Sequence, residues 1–423
     1  MNATQTGAQQ GARKAHVIGG GIVGTCCALY LQREGFEVVM LERDEPGKAA
    51  SFGNAGSLGI ASVPPLGMPD IPGKAIKMMF DPMHALRIKL GYLPRAVPWF
   101  LAFLKSCQTS EVERIADART RLLERVYDSY EPLFEAARAQ DLIKKPGLMA
   151  VYEKDESFEK ARFAYDLRRN RGIRVEEISG DQVRDMVPAI GPAAKRAYFM
   201  PDVSYVINPL RLTETLARHF VERGGKIVRE EVRRFEFGPN GVSKIVTDKG
   251  THDCQTVVVA AGVWSRELAR QLGTRVLLES ERGYHIMIPD AGVNVPVPFM
   301  AADRNVTFTQ MELGIRMTTG AEFSGVDAPP DHAWAERLFR AGVAAIMPQM
   351  KMDKIIPWYG PRPSTPDSLP VIGKAPKHAN VFFAFGHGHL GLTFGAVTGR
   401  IIADLAAGRR PNQDLTPYRP DRF

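Results

Sequence analysis

The sequence predicts an α/β protein in which a Rossmann-like, parallel-sheet dinucleotide-binding domain is interleaved with an α+β domain built on a mixed or antiparallel sheet. Three observations predict it. A strand-like run at 15–18 flows into Gly19-Gly20-Gly21-Ile22-Val23-Gly24, then a helical stretch, then a second apolar run at 36–42. Another apolar run, 256–261, ends in small residues in mid-chain. A last one, 381–385, leads into a further glycine-rich turn and an Ala/Ile-rich helix near the far end. Nucleotide-type motifs at both ends and in the middle require the two domains to share the chain in alternating pieces.

The first unit is the most specific. Gly19 permits the tight turn after the strand, Gly21 lets backbone N–H groups approach a pyrophosphate, and Gly24 lets the helix pack closely on the sheet. The helix begins near Ile22 and Val23, so its positive end faces the phosphates. Glu42, at the end of the second strand, is placed to accept hydrogen bonds from ribose hydroxyls, with Arg43 beside it. A lone glycine motif is weak; strand, turn, helix, strand and terminal acid arriving in order are not.

Residues 51–73 are rich in Gly and Pro and read as loop. The stretch 76–104 mixes Met78, Met79, Phe80, Trp99, Phe100 and Phe103 with Lys77, Arg87, Lys89 and Arg95. It predicts amphipathic helical pieces broken at Pro94 and Pro98, which either cover the second domain or lie on a membrane surface. Apolar spacings of three and four over 111–140 predict one or two long helices. Strands are expected at 148–152 and 197–200, with a charged helix at 155–170 between them. Asn208-Pro209 starts a helix that Gly224-Gly225 ends. Strands follow at 226–229, 232–237, 242–247 and 256–261, then an antiparallel set at 284–288, 306–310 and 314–318, then a helix at 332–346. The resulting division is a disordered leader at 1–13, a dinucleotide-binding domain from 14–88, 204–276 and 358–423, and a substrate-binding domain from 89–203 and 277–357.

Composition narrows the function. A chain of 423 residues with 44% hydrophobic and 24% charged residues is an ordinary globular protein of about two domains. The net charge of +8 comes from scattered Lys and Arg with no basic run, which argues against a nucleic-acid partner and suits an anionic cofactor or a carboxylate substrate. Cys26, Cys27, Cys107 and Cys254 show neither metal spacing nor a disulfide framework, and fit a reducing cytoplasmic setting. No window is apolar enough to span a bilayer. No metal signature, Ser/His/Asp nucleophile motif or Walker loop is present.

Three motifs together resemble the FAD-dependent amino-acid oxidoreductases, the group of D-amino-acid oxidase, glycine and sarcosine oxidases and bacterial D-amino-acid dehydrogenases. The first is Gly19-x-Gly21-x-x-Gly24 with Glu42-Arg43, followed by Ser51-Phe52-Gly53-Asn54-Ala55-Gly56. The second is Val257-Val258-Val259-Ala260-Ala261-Gly262-x-Trp264-Ser265. The third is Trp358-x-Gly360-x-Arg362-Pro363-x-Thr365-Pro366-Asp367-x-Leu369-Pro370-x-Ile372-Gly373, followed by Gly386-His387-Gly388-His389-Leu390-Gly391-Leu392-Thr393. The resemblance covers nearly the whole chain and is strongest to the D-amino-acid dehydrogenase branch. The double-histidine form of the last turn is similar to members acting on D-hydroxyproline.

The resemblance implies hydride transfer from a substrate α-carbon to flavin N5, with an imino acid as product. It implies FAD held at the motif residues, with Val232 lending its backbone to the adenine. The FAD is expected to be non-covalent, because no Cys stands near Arg362-Pro363. Arg362 is the candidate for holding the substrate carboxylate, since a guanidinium fork matches a planar carboxylate; its other reading is a structural ion pair. The N–H groups and the Thr393 hydroxyl of the last turn are candidate donors to the flavin pyrimidine oxygen. His387 is a candidate catalytic residue or a loop-satisfying one. Tyr284 and His285, after Arg282-Gly283, and more weakly Tyr205, are candidates facing the flavin or ordinary packing residues. The expected partners are a small amino-acid or imino-acid substrate and a quinone or other electron-transfer acceptor, with peripheral contact to the inner membrane face. Alternatives are a glycine- or sarcosine-type oxidase using oxygen, the FAD-bearing subunit of a larger amine dehydrogenase complex, and a flavin-free carrier of the Rab escort kind.

Overall fold

The computed structural model describes residues 13–73, 81, 83–239 and 241–423. All but the last residue of the expected leader, and residues 76–80 and 82 of the 76–104 stretch, lie outside the described residues.

A six-stranded sheet runs in the order Lys226–Arg229, Glu37–Glu42, Lys14–Ile18, Thr256–Val259, His378–Phe385, Val371–Ala375. The first five strands are parallel and the last antiparallel. Side-chain alternation sends Val17, Val258 and Phe382 to one face and Ile18, Val257, Val259 and Phe383 to the other, and both faces are covered. On the first face helices Ile22–Arg33 and Gly391–Ala406 pack together. A Cβ on Gly399 would stand 2.7 Å from the Cys26 backbone, so small residues set this contact. Cys26 and Cys27 are fully buried there, and burial pushes both thiols up. On the second face lie a three-stranded meander, Val232–Gly238, Gly241–Thr247 and Thr251–Asp253, and the helix Ser265–Gln271.

A nine-stranded mixed sheet forms the second layer. Its order is Ile356–Ser364, Glu279–Ile288, Gly314–Phe323, Val306–Met311, Phe299–Ala301, Leu148–Tyr152, Arg196–Met200, Glu176–Ser179, with Leu86–Ile88 beside Gly314–Phe323. Parallel pairing occurs at Phe299–Ala301 with Leu148–Tyr152 and at Leu86–Ile88; the other pairs are antiparallel. The helix His332–Ile346 packs on this sheet, starting where its sequence signal placed it, with Asp331 Oδ1 accepting from Trp334 N at 2.9 Å. A short sheet of Ser57–Leu58, Ser204–Val206 and Ile143–Lys144 joins the early loop to mid-chain, and Tyr205 is one of its buried members.

Several elements differ from expectation. Leu93–Ser106 is one helix with Pro98 inside it, not pieces broken at Pro94 and Pro98. Pro94 sits in the first turn, where no N–H is missed, and Pro98 forfeits a single i→i−4 bond. Trp99 holds the helix down: it stacks on Phe103 with centroids 5.3 Å apart, touches Phe323, and donates from Nε1 to the Ser364 carbonyl at 3.0 Å. The charged segment is two helices, Asp155–Lys160 and Arg162–Arg169, where one was expected; over 111–140 the two helices are Thr109–Leu123 and Val126–Ala137, within the expectation. Ile356–Ser364 is a strand despite Pro357, Pro361 and Pro363, because it is an edge strand paired on one side only. It belongs to the large sheet, although the division drawn from sequence allots residues from 358 onward to the dinucleotide-binding part.

Glu279–Ile288 is buried at every position. Its Arg282 guanidinium meets Glu322 at 3.1 Å, with side-chain exposures of 1% and 0%, and Tyr284 donates to the same carboxylate at 2.5 Å. Removing one partner of such a pair strands the other. Arg282→Met is expected to destabilise the fold by about 3–5 kcal/mol, read as a large drop in the chemical-denaturation midpoint; a change under about 1 kcal/mol would contradict a fully desolvated pair.

Candidate active site

The carboxyl ends of Lys14–Ile18, Glu37–Glu42 and Thr256–Val259 open onto a cleft of about 320 Å³, partly exposed to solvent. Its floor is the first glycine turn. Gly19 has φ +107°, and a Cβ there would stand 2.5 Å from the Ala260 carbonyl oxygen; a Cβ on Gly24 would stand 1.9 Å from the Gly19 carbonyl oxygen. Gly21, Ile22 and Val23 therefore reach the cleft wall at the start of the helix Ile22–Arg33. Ile22 N donates to Ser51 Oγ at 3.0 Å, tying the 51–56 loop to the helix start. The Glu42 carboxylate accepts from Gly20 N at 2.5 Å and from Asp44 N at 3.0 Å, which fixes it and leaves further lone pairs. The Arg43 guanidinium lies 3.6 Å over the Trp264 ring, and Val232, Ala261 and Gly262 are also on the wall.

The later turn contributes His387, Gly388, Gly391 and Leu392 to the same wall, alongside Asn54, Pro361 and Pro363. Gly24, Ala55, Gly56, His389, Leu390 and Thr393 are not on it. Gly24 acts behind the wall as a packing contact. Asn54 reaches from Nδ2 to the His389 carbonyl at 3.5 Å and accepts from Gly56 N at 2.8 Å. The Thr393 hydroxyl donates to the Ser57 carbonyl at 3.2 Å and accepts from Gly59 N at 3.0 Å. Its only hydrogen thus joins the two loops and is not free for a flavin oxygen.

The second sheet brings the candidate substrate residues. Arg362 Nη1 donates to Glu281 Oε1 at 3.0 Å and to the Gly320 carbonyl at 2.8 Å, and Ser364 Oγ donates to Glu281 Oε2 at 2.9 Å. Arg362 is thus an ion-pair residue, off the cleft wall, with Pro361 and Pro363 on it. Tyr284 is buried among His332, Trp334 and Tyr359, its hydroxyl donating to Glu322 and accepting from Asp331 N at 2.9 Å. His387 faces the Thr398 hydroxyl at 2.9 Å from Nε2, and burial pushes its pKa down to about 3, which leaves a neutral ring at physiological pH.

Sequence reasoning did not single out Glu281, Arg316 or Arg119. Arg316 donates to the Phe52 and Asn54 carbonyls at 2.8 and 2.6 Å and so shapes the 51–56 loop. His285 stacks on Trp358 with centroids 4.8 Å apart, and burial together with Arg316 pushes it down to about 3. Only Arg119 carried a legible signal, a charge on the apolar stripe of its helix.

These parts define a two-sheet dinucleotide-binding protein. The donor set suits an adenine dinucleotide: first-turn N–H groups that no helix carbonyl reaches, a fixed acid at the strand end, and glycines that leave no Cβ in the way. Residues 14–405 match the family model described as DAO, FAD dependent oxidoreductase, and the chain belongs to that family. It is 34% identical to the D-amino-acid oxidase of Bradyrhizobium diazoefficiens over 97% of this chain and 99% of that one. It is 27% identical to the D-amino acid dehydrogenase of Helicobacter pylori over 92% and 94%. Among solved structures, glycine oxidase from Geobacillus kaustophilus shares the fold with a TM-score of 0.74 at 22% identity, covering 97% of this chain and all of that one. L-proline dehydrogenase from P. horikoshii does so with a TM-score of 0.74 at 19% identity, covering 97% and 98%. Bound FAD supplies the two-electron acceptor at this site.

His285 and His387 are both held neutral by burial, with pKa values pushed down from the ordinary 6.5 to about 3. The unfolded chain binds more protons than the native one below that value, so their contribution is complete above pH 6.5 and is lost as pH falls. Each costs about 1.4 kcal/mol per pH unit in that window. Tm measured from pH 8 to pH 5 is expected to be flat and then to fall below about 6.5, and His387→Asn to make the fall shallower. An unchanged Tm across pH 6.5 to 5 would contradict neutral buried rings.

Proposed function

We propose that the chain oxidises D-amino acids at the Cα–N bond, forming the imino acid, with non-covalent FAD as acceptor. The observation that carries the reading is the placement of the Arg362 segment and the Gly386–Thr393 turn along the cleft that begins at the Gly19 turn. Pro361 and Pro363, which flank Arg362, line this cleft, and that supports a carboxylate-binding role for the segment. The likeness to a D-amino-acid oxidase over nearly the full length of both chains supports the D configuration. No cysteine is on the cleft wall, consistent with non-covalent FAD. The double-histidine turn favours D-proline or D-hydroxyproline within the class. In this reading Arg362 keeps Nη1 on Glu281 and offers its remaining N–H groups to the substrate carboxylate.

The acceptor is a quinone reached at a membrane surface. What supports this is the helix Leu93–Ser106, where Val97, Leu101 and Leu104 are exposed with Leu90 just before it, Leu90 at 70% and Leu101 at 63%, flanked by exposed Arg95 and Lys105. No described helix is long and apolar enough to cross a membrane.

The test is the visible spectrum of the anaerobic holoprotein on addition of D-proline, D-hydroxyproline, D-alanine, their L forms, glycine and sarcosine. Bleaching by D forms is expected. Bleaching by L forms or glycine alone would overturn the stereochemical reading. Reoxidation is expected to be faster with a quinone than with oxygen; the reverse order would favour an oxidase. Arg362→Ala is expected to raise the KM for the active substrate at least about tenfold, equivalent to about 1.4 kcal/mol, with FAD retained. An unchanged KM would return Arg362 to a purely structural role.

A further inference from the structure

The helix Thr109–Leu123 buries Val112, Ile115, Ala116, Leu122 and Leu123, and on the same face Arg119, which is 1% exposed. Its Nη1 donates to the Pro64 carbonyl at 2.7 Å and its Nε has no partner. Among the described residues no carboxylate pairs with it. Its charged neighbour is a second cation, Arg168, half-buried and donating to the Ala61 carbonyl at 2.8 Å. Burial and Arg168 push the Arg119 pKa down to about 9, which still leaves a cation at neutral pH.

Arg119 borders a narrow space of about 10 Å³, room for about one water, behind the late glycine turn, together with Ser364, Thr365, His387, Gly388 and His389. His387 and Gly388 also border the FAD cleft, so the two spaces meet at the turn. His389 feels the charges of Arg119, Arg362 and Glu281. Glu281 neutralises Arg362, and His389 is neutral. Of the groups around this space only Arg119 is left as a charge with no counter-ion, with the cation Arg168 beyond it, and a buried charge without a counter-ion is disfavoured until an anion reaches it.

We propose that Arg119 is a substrate-recognition residue whose missing counter-ion is the carboxylate of the amino acid, received beside the Gly386–Thr393 turn. The inference rests on the amino-acid reading above and adds a second cation to it: Arg362, already paired, orients the acid group, and Arg119 supplies the uncompensated charge. It follows that Glu281 weakens acid binding by cancelling one of two cations.

The test uses the FAD-loaded full-length protein and follows the visible flavin band during titration with anthranilate and with its uncharged amide. Arg119→Gln is expected to weaken anthranilate at least about tenfold, to leave the amide unchanged, and to retain FAD. Arg119→Lys is expected to fall between Arg119→Gln and the natural protein, and Glu281→Gln to bind anthranilate more tightly. Unchanged anthranilate affinity in a folded Arg119→Gln, or equal losses for acid and amide, would overturn the proposal. If Arg119→Gln does not fold, the other two variants decide: Glu281→Gln binding anthranilate no more tightly than the natural protein overturns it. If the flavin responds to D-amino acids but not to anthranilate, KM and kcat for D-alanine carry the comparison. A raised KM at preserved kcat in the Arg119 variants supports the proposal, and an unchanged KM overturns it. A natural protein whose flavin responds to no amino acid and no carboxylate fails at the earlier step, the functional reading itself.

Discussion

The structure depends on a joint that has no room for side chains. Strand Lys14–Ile18, helix Ile22–Arg33 and the end of Thr256–Val259 meet where Gly24 touches the Gly19 carbonyl and Gly19 touches Ala260. That closeness sets the tilt of the helix on the sheet and so the aim of its first turn. The same device recurs one layer out, where Gly399 lies against the Cys26 backbone and Gly395 against the Tyr130 hydroxyl, at 2.9 Å from where its Cβ would be. Helix Gly391–Ala406 is thereby seated at a fixed height, and the turn that precedes it arrives at the cleft. Two glycine turns from opposite ends of the chain are brought to one place by contacts that only the smallest residues allow.

Electrostatics orders the second layer. A strand buried at all ten positions of Glu279–Ile288 carries five charged or titratable side chains, Tyr284 on Glu322 among them. Glu279 takes Arg266 at 2.7 Å and Tyr92 at 2.5 Å; Glu281 takes Arg362 and Ser364; Arg282 takes Glu322; His285 lies neutral on Trp358. Such a strand contributes little net stability compared with an apolar one. What it provides is a fixed array of charges behind the edge strand Ile356–Ser364, whose Pro361 and Pro363 line the cleft, held without water to reorganise around them.

The dinucleotide unit was legible because its determinants are local: glycine spacing, an acid at a strand end and two apolar runs lie within about thirty residues. The helix His332–Ile346 was legible for the same reason. Ile356–Ser364 was obscured by its prolines, whose tolerance at a sheet edge is a tertiary fact. The continuity of Leu93–Ser106 through Pro98 depends on Trp99 meeting Phe323, more than two hundred positions along the chain. At the site, Arg362 stood out as a residue type in a rigid setting, while its partner Glu281 is 81 positions away and carries no local mark. The double use of the Thr393 hydroxyl was hidden likewise, since both of its partners belong to another loop.

The strand order of the parallel sheet also governs how the protein can be made. Lys14–Ile18 is flanked on one side by Glu37–Glu42, available early, but on the other by Thr256–Val259, whose own neighbour is His378–Phe385. A ribosome must therefore release most of the polypeptide before the first strand is sandwiched, and nearly all of it before the nucleotide cleft has both walls. Until then the nascent βαβ unit presents a naked apolar edge. Cofactor capture belongs to the end of synthesis, and the glycine turn first translated waits longest for its ligand.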